Sequence, residues 1–323
     1  MKAGAIYLYN KYMASILSLN FKSFQHLQQV LVDEAACVAY LEELIWEGVP
    51  VSPFDKTSKV YKCKNGKYKC KNTGKYFNVK TGTIFENTKI SLRQWFMAIY
   101  LLACHKKGVS SLQLAQDIGV TQKTAWFMLH KIRKCLGIEN NNIIDKEVEL
   151  DETYVGGLNK NRHKDKKVKY SQGRSYKDKT PVFGMIQRGG KLSAWVVPNV
   201  KTKTLTNKVL EFVKRSAEIY TDEWQGYNLL KNFYENHTIV EHGKKQYVKD
   251  KAYTNTMEGA WALLKKSLKG IYHVVSKKYL QGYVNSWIFC YNTRKMSIID
   301  RFCYGLMSCC EMKFTYAEVI NGY

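Results

Sequence analysis

The sequence predicts a two-part α/β protein: a basic N-terminal part made of helices and a small β-module, then an α/β layer. Three observations predict it. From Val148 onward the hydrophobic pattern reads strand, strand, strand, helix, strand, helix, which fits a layered α/β domain and neither a sandwich nor a bundle. Between Gly48 and Glu86 the pattern breaks into short aromatic or β-branched pieces punctuated by Gly and Asn. The chain has 323 residues, 45% of them hydrophobic and 13% aromatic, which is long enough for two domains and too apolar for disorder.

Charge narrows the class of partner. Lys and Arg total 51 against 27 acids, a net charge of +24 and a pI near 9.5. Such an excess repels itself unless a polyanion is the usual partner, and nucleic acid fits best. An anionic membrane surface is the alternative, but no long amphipathic basic helix stands alone. The nine cysteines form no C-x-x-C pair and no framework of the small secreted type, so reduced thiols in a cytosol are expected. Asn10 and Lys11 interrupt the apolar N-terminus and spoil a signal peptide, and the run Phe96–Cys104 is too short to span a bilayer. The expectation is a soluble, cytoplasmic protein with no membrane partner.

The elements follow in chain order. Residues from about Phe21 to Trp46 carry Leu27, Val30, Leu31, Leu41, Leu44 and Ile45 at helical spacing. The β-module comes next, with Asn65-Gly66 as a hairpin turn. Ser91 to His105 is a helix with Leu92, Trp95, Phe96, Ile99, Tyr100 and Leu102 on its buried side, ended by Gly108. A short helix from Ser111 to Ile118, a turn at Gly119 and a longer helix capped by Thr121 have the spacing of a helix-turn-helix. There Thr121, Gln122 and Lys123 would lead into a major groove, and Lys131, Arg133 and Lys134 would contact phosphates. A plain helical hairpin in a core is the other reading of the same residues.

The second part opens with VELDETYVGG, residues 148–157, where Val148 and Leu150 alternate with Glu147 and Glu149. This strand is expected to end at the Gly156-Gly157 turn and to deliver Asp151 near its end, as a turn residue or as a fixed charge at a site. Residues 160–179 hold nine Lys or Arg against two Asp. They form either a solvated loop or a phosphate cradle, with Lys160, Arg162, Lys164, Lys166, Lys167 and Arg174 as its candidate contacts. Two strands joined at Gly189-Gly190, a helix from Thr204 to Ala217 and a strand ending on Asp222 follow. A helix from Thr254 to Gly270 puts Met257, Trp261, Leu264 and Leu268 on one stripe, with Glu258 a quarter-turn away and Lys265 two turns further on the same bearing. Asn255-x-x-Glu258 is also a capping-box spacing, so Glu258 alone reads as well as a cap.

Four separated stretches carry a resemblance: LDETYVGG at 150–157, TDEWQGY at 221–227, NTMEGAWALLKK at 255–266 and GIYHVVSKKYLQGYVNSWIFCYNTR at 270–294. They resemble the bacterial insertion-sequence transposases of the DDE class, in the subgroup numbered fifteen ninety-five with an ISXO-like catalytic domain, and the similarity runs from about Phe21 to Arg294. The resemblance implies a ribonuclease-H-like catalytic domain in a nucleoid-associated bacterial protein, with Asp151, Asp222 and Glu258 as an acidic triad and Lys265 as the basic residue that steadies a phosphate. Thirty-five residues separate Asp222 from Glu258, in keeping with that class. It further implies two Mg²⁺ ions (or Mn²⁺) on the triad, cleavage and strand transfer at terminal inverted repeats, and double-stranded DNA as partner for a homodimer or larger assembly. The competing class is a non-catalytic, sequence-specific DNA-binding protein.

The expected division is 1–47 helical, 48–90 a zinc-ribbon-like β-module, 91–138 the helix-turn-helix, 143–295 the catalytic domain and 296–323 a C-terminal tail. Relatives resembling this chain carry two C-x-x-C pairs in the ribbon. Here Ser52-Pro53-Phe54-Asp55 and Cys70-Lys71-Asn72-Thr73 stand in those places, so no zinc is expected. Tyr253 is a second departure, where relatives show His. The first twenty residues fall outside the resemblance, and Met13 offers a second start.

Overall fold

In the computed structural model, residues 21–156, 163–169, 179–240 and 254–323 are described. They divide into two compact units, 21–138 with 295–322, and 139–294. The first twenty residues, Gly157, Lys160, Arg162, Arg174 and Tyr253 lie outside the described residues.

The first unit begins with two helices where one periodic run was expected, α1 (Phe24–Val30) and α2 (Glu34–Trp46). The break arises because Asp33 accepts the Ala36 N–H at 2.7 Å and restarts the helix as an N-cap. A three-stranded antiparallel sheet follows: β1 (Val60–Lys62), β2 (Tyr68–Cys70) and β3 (Tyr76–Phe77). Its inner face puts Tyr68 and Phe77 edge-on to Trp46 of α2. Where the resemblance places zinc ligands, the two turns are instead tied by hydrogen bonds. Ser52 Oγ accepts from the Phe54 and Asp55 amides, and Asp55 Oδ2 accepts from Asn72 Nδ2 at 2.8 Å. Burial pushes the Cys70 thiol up, but hydrogen bonds with Ser52, Ser58 and Thr73 outweigh it and bring it down to about 6.

Three helices complete the N-terminal stretch: α3 (Leu92–Cys104), α4 (Ser111–Ile118) and α5 (Gln122–Leu136). Ser91 and Gln94 form a full capping box at the start of α3. Gly119 ends α4 in the left-handed region at φ 67°, a backbone conformation that favours glycine, and Thr121 caps α5 two residues later.

The second unit is a five-stranded mixed sheet with helices on its faces. Its strands are β4 (Glu147–Gly156), β5 (Lys179–Gln187) and β6 (Leu192–Val196), then helix α6 (Thr202–Phe212), then β7 (Glu218–Asp222) and β8 (His237–Val240). The order across the sheet is β6-β5-β4-β7-β8, antiparallel on the β5 side of β4 and parallel on the β7 side. One face buries Val148, Leu150, Phe183 and Ile219 against α6 residues such as Leu205 and Val209. The other buries Val182, Ile186 and Ala194 against α7 (Asn255–Ser267) and α8 (Leu280–Asn292), where Trp261 stacks on Trp287 at 5.5 Å. The central strand is therefore covered on both faces, and the side chain of Glu149, which alternates with Val148 and Leu150, is fully buried.

The chain then returns to the first unit. The segment expected as a tail forms α9 (Ile298–Cys310) and α10 (Tyr316–Ile320). Phe302 of α9 lies within aromatic contact of Phe21, Phe96 and Tyr100, so it is part of the first unit's core.

Candidate active site

The site is built first by strand register. Strands β4 and β7 are parallel, with Glu147 beside Glu218, Val148 beside Ile219 and Glu149 beside Tyr220. Two steps further along both strands stand Asp151 and Asp222, which share a face with Glu149 and Tyr220 by the two-residue period. The β4–β7 pairing ends at Glu149 and Tyr220, and beyond it Asp222 stays near enough for its charge to raise Asp151. Asp222 ends its strand as expected, and Asp151 does not. It stands in the middle of β4, because pairing with β5 carries the strand on to Gly156.

Backbone amides orient both carboxylates. Asp151 Oδ1 accepts the Glu152 N–H at 2.8 Å, and Asp222 Oδ1 accepts the Trp224 N–H at 3.0 Å. Burial pushes the Asp151 carboxyl up to about 8, and the charges of Glu152, Asp222 and Glu258 push it in the same direction. Glu152, on the other face of β4, accepts a 2.7 Å hydrogen bond from the Tyr227 hydroxyl. Burial, and then the charge of Glu152, hold that phenol well above its ordinary range.

The third acid comes from α7, and sequence reasoning missed what holds it there. Thr254, not Asn255, is the N-cap of α7, and its side chain makes no capping bond. The cap is Glu149 of β4, which accepts from Thr256 Oγ1 and from the Met257 amide, both at 2.9 Å. Arg188 Nε completes the carboxylate at 2.8 Å, while its other arm reaches Glu147 at 3.2 Å. Gly184 stands directly opposite Asp151 on β5, and a Cβ there would lie 2.3 Å from Met257 Cε and 2.6 Å from Trp261. The missing side chain lets α7 lie close against the strand that carries Asp151. Glu149 could have been found by period two, since residues i and i+2 of a strand face the same way; nothing in the sequence pointed to Gly184 or Arg188.

With the cap supplied by Glu149, Glu258 makes no side-chain hydrogen bond or ion pair with a described residue. It is exposed on the first turn of α7, near enough for its charge to raise Asp151. Among the described residues no three acidic, histidine or cysteine side chains form a ready-made metal cage. The donor set nevertheless suits a hard divalent cation: all ligands are carboxylate oxygens, and their mutual repulsion calls for a compensating charge.

Lys265 lies exposed two turns past Glu258 and lines a cavity of about 320 Å³ with Val155, Lys179, Leu268 and Lys269. Lys164, Lys166 and Lys167 are exposed on and beside a single 3-10 turn. In the first unit Thr121, Gln122 and Lys123 are exposed at the start of α5, with Gln122 bonded to Ser111 at 2.8 Å. The three basic residues further along that helix are placed otherwise than expected. Lys131 is buried with its ammonium on the Ile84 carbonyl at 3.0 Å, Arg133 is buried, and Lys134 bonds the Gly322 carbonyl at 2.8 Å. Lys131 and Arg133 are thus buried on different faces of α5, and Lys134 is half-buried against the C-terminal segment.

Residues 143–292 match the model of the ISXO2-like transposase domain. The chain is also 28% identical over 229 residues to an uncharacterized protein in transposable element ISH50 of Halobacterium salinarum, covering 68% of this chain and 76% of that protein. Residues 143–292 are thus similar to the ISXO2-like transposase domain, and the chain as a whole is similar to a protein of a transposable element.

Proposed function

We propose that this protein is a DDE transposase that binds the terminal inverted repeats of its insertion sequence, cleaves DNA strands there and joins the freed 3′ ends to target DNA. The observation that supports the reading is that Asp222 and Glu258 lie near enough for their charges to raise Asp151, with α7 fastened by Glu149 to the strand that carries Asp151. The mixed sheet bearing two of these acids on adjacent central strands supports a ribonuclease-H-like catalytic domain.

Asp151, Asp222 and Glu258 are the residues that would hold Mg²⁺, two ions by the resemblance, with Mn²⁺ a substitute. Bound there, the ions supply Lewis-acid charge for the attacking and leaving oxygens of a phosphodiester. The chain's own residues do the rest. The Glu152 and Trp224 amides fix the rotamers of the two strand acids, and Glu149 with Arg188 sets the height of α7. Lys265 offers its ammonium to a neighbouring phosphate. The pair α4–α5 acts as a helix-turn-helix, with Thr121, Gln122 and Lys123 toward bases, and Lys164, Lys166 and Lys167 reach the backbone. Acting on two ends at once requires a dimer or more on DNA.

A non-catalytic DNA binder is the second reading, and the exposure of Glu258 outside any ready-made cage favours it. Incubation with the flanking repeats and Mg²⁺, followed by mapping of nicks, separates the two. The transposase reading expects nicks at the repeat termini that disappear in Asp151→Asn, with repeat binding retained. Binding without nicks under any divalent cation leaves the second reading.

A further inference from the structure

The outward face of the sheet β1–β3 carries a pattern that neither core packing nor the acid cluster explains. Tyr61 pairs with Lys69, and Lys69 with Tyr76, so one row crosses all three strands. The alternate residues Tyr68, Cys70 and Phe77 are buried, while Tyr61 and Tyr76 are 43% and 59% exposed. The ladder continues past the strand ends: the Lys71 N–H donates to the Lys59 carbonyl at 3.0 Å, and the Cys63 N–H to the Lys67 carbonyl at 2.8 Å. Lys59 and Lys71 therefore stand side by side, and Lys67 and Lys71 share the face of Lys69 by the strand period. The Lys59 ammonium rests 5.6 Å from the centre of the Tyr61 ring and that of Lys69 5.5 Å from Tyr76, which limits where each charge can go. From residue 56 to residue 80 the chain has nine lysines and no acid.

Like charges set opposite each other across strands destabilise a sheet. None of the ion pairs among the described residues engages Lys59, Lys67, Lys69 or Lys71. A face that raises its own electrostatic cost in this way, with aromatic rings fixing the ammonium groups, is built for a polyanion. We propose that it binds the sugar–phosphate backbone of duplex DNA. Lys59, Lys67, Lys69 and Lys71 lie against phosphates, and Tyr61 and Tyr76 hold their lysines in place and offer phenolic donors. The proposal rests on the transposase reading, and moves a large part of the electrostatic attraction from α5, whose Lys131 and Arg133 turn inward, to the β-module.

The test uses the full chain and random-sequence duplex, with affinity measured across a salt series. Replacing all four lysines by Gln is expected to lower the slope of log affinity against log salt by about 3 to 4, at ~0.9 for each phosphate no longer neutralised. The same four replaced by Arg should keep the wild-type slope. Tyr61→Leu with Tyr76→Leu should keep the slope and weaken binding several-fold. A Gln variant whose slope stays within about one of wild type overturns the proposal, as does an equal drop in the Arg variant, which would trace the effect to folding. Wild-type protein that binds no duplex at all would sink the transposase reading beneath it.

Discussion

Asp151 is held in a state that its own charge opposes. Its carboxyl titrates near 8 in the fold, against about 4 for a free side chain, chiefly because it is buried and also because Glu152, Asp222 and Glu258 surround it. Between these two values the unfolded chain has released a proton that the folded chain keeps, so this residue makes stability fall as pH rises from about 4 to about 8. Asp151→Asn removes the dependence. The variant should melt several degrees above wild type at pH 8 and level with it at pH 4, as scanning calorimetry would show. Mg²⁺ should raise the melting temperature of wild type at pH 8 and leave the variant's unchanged. A variant less stable than wild type at pH 8 would show that the carboxylate is satisfied by the protein alone.

Elements place the acids, and part of that placement can be read from the sequence. Asp222 at the end of a strand and Glu258 on the stripe-bearing helix were legible because strand and helix periods repeat over many residues. Of what joins them only Glu149 was within reach, by the strand period it shares with Asp151, because Gly184 and Arg188 act between elements far apart in the chain, which no local pattern records. Filling the Gly184 position tests the fit of α7. Gly184→Val forces a side chain into Met257 and Trp261, and should cost about 1–3 kcal/mol of stability. It should lower cleavage far more than DNA binding, and equal losses in both would remove the claim that the packing of α7 sets the site. The β-module supplies an independent check. With Ser52, Asp55, Asn72 and Cys70 joined by hydrogen bonds, the purified protein should carry less than stoichiometric zinc and keep its melting temperature in chelator. One tightly held zinc per chain by mass spectrometry would contradict this.

At the scale of the whole molecule the chain is threaded so that its last segment belongs with its first. A C-terminal run read as a tail gave no warning of this, since Phe302 is buried against Phe96 and Tyr100 of α3 and Cys309 lies against Cys135 of α5, all far earlier in the chain. Truncation after Arg294 should therefore expose the α3 core and unfold the first unit, while residues 139–294 keep their sheet. Hydrogen exchange would show protection lost in 21–138 and kept in β4 and β5. Undisturbed protection in α3 would mean that α9 is an accessory. The net charge of +24 suits a polyanionic partner, and of the two compact units the one spanning 139–294 carries the three acids proposed to hold metal. The most direct test of that assignment is the number of Mn²⁺ ions bound per chain, counted by electron paramagnetic resonance on the protein with repeat-end DNA. Two ions in wild type, with the tight binding lost in Asp222→Asn and in Glu258→Gln, is the predicted result. Unchanged stoichiometry and affinity in both variants would contradict it.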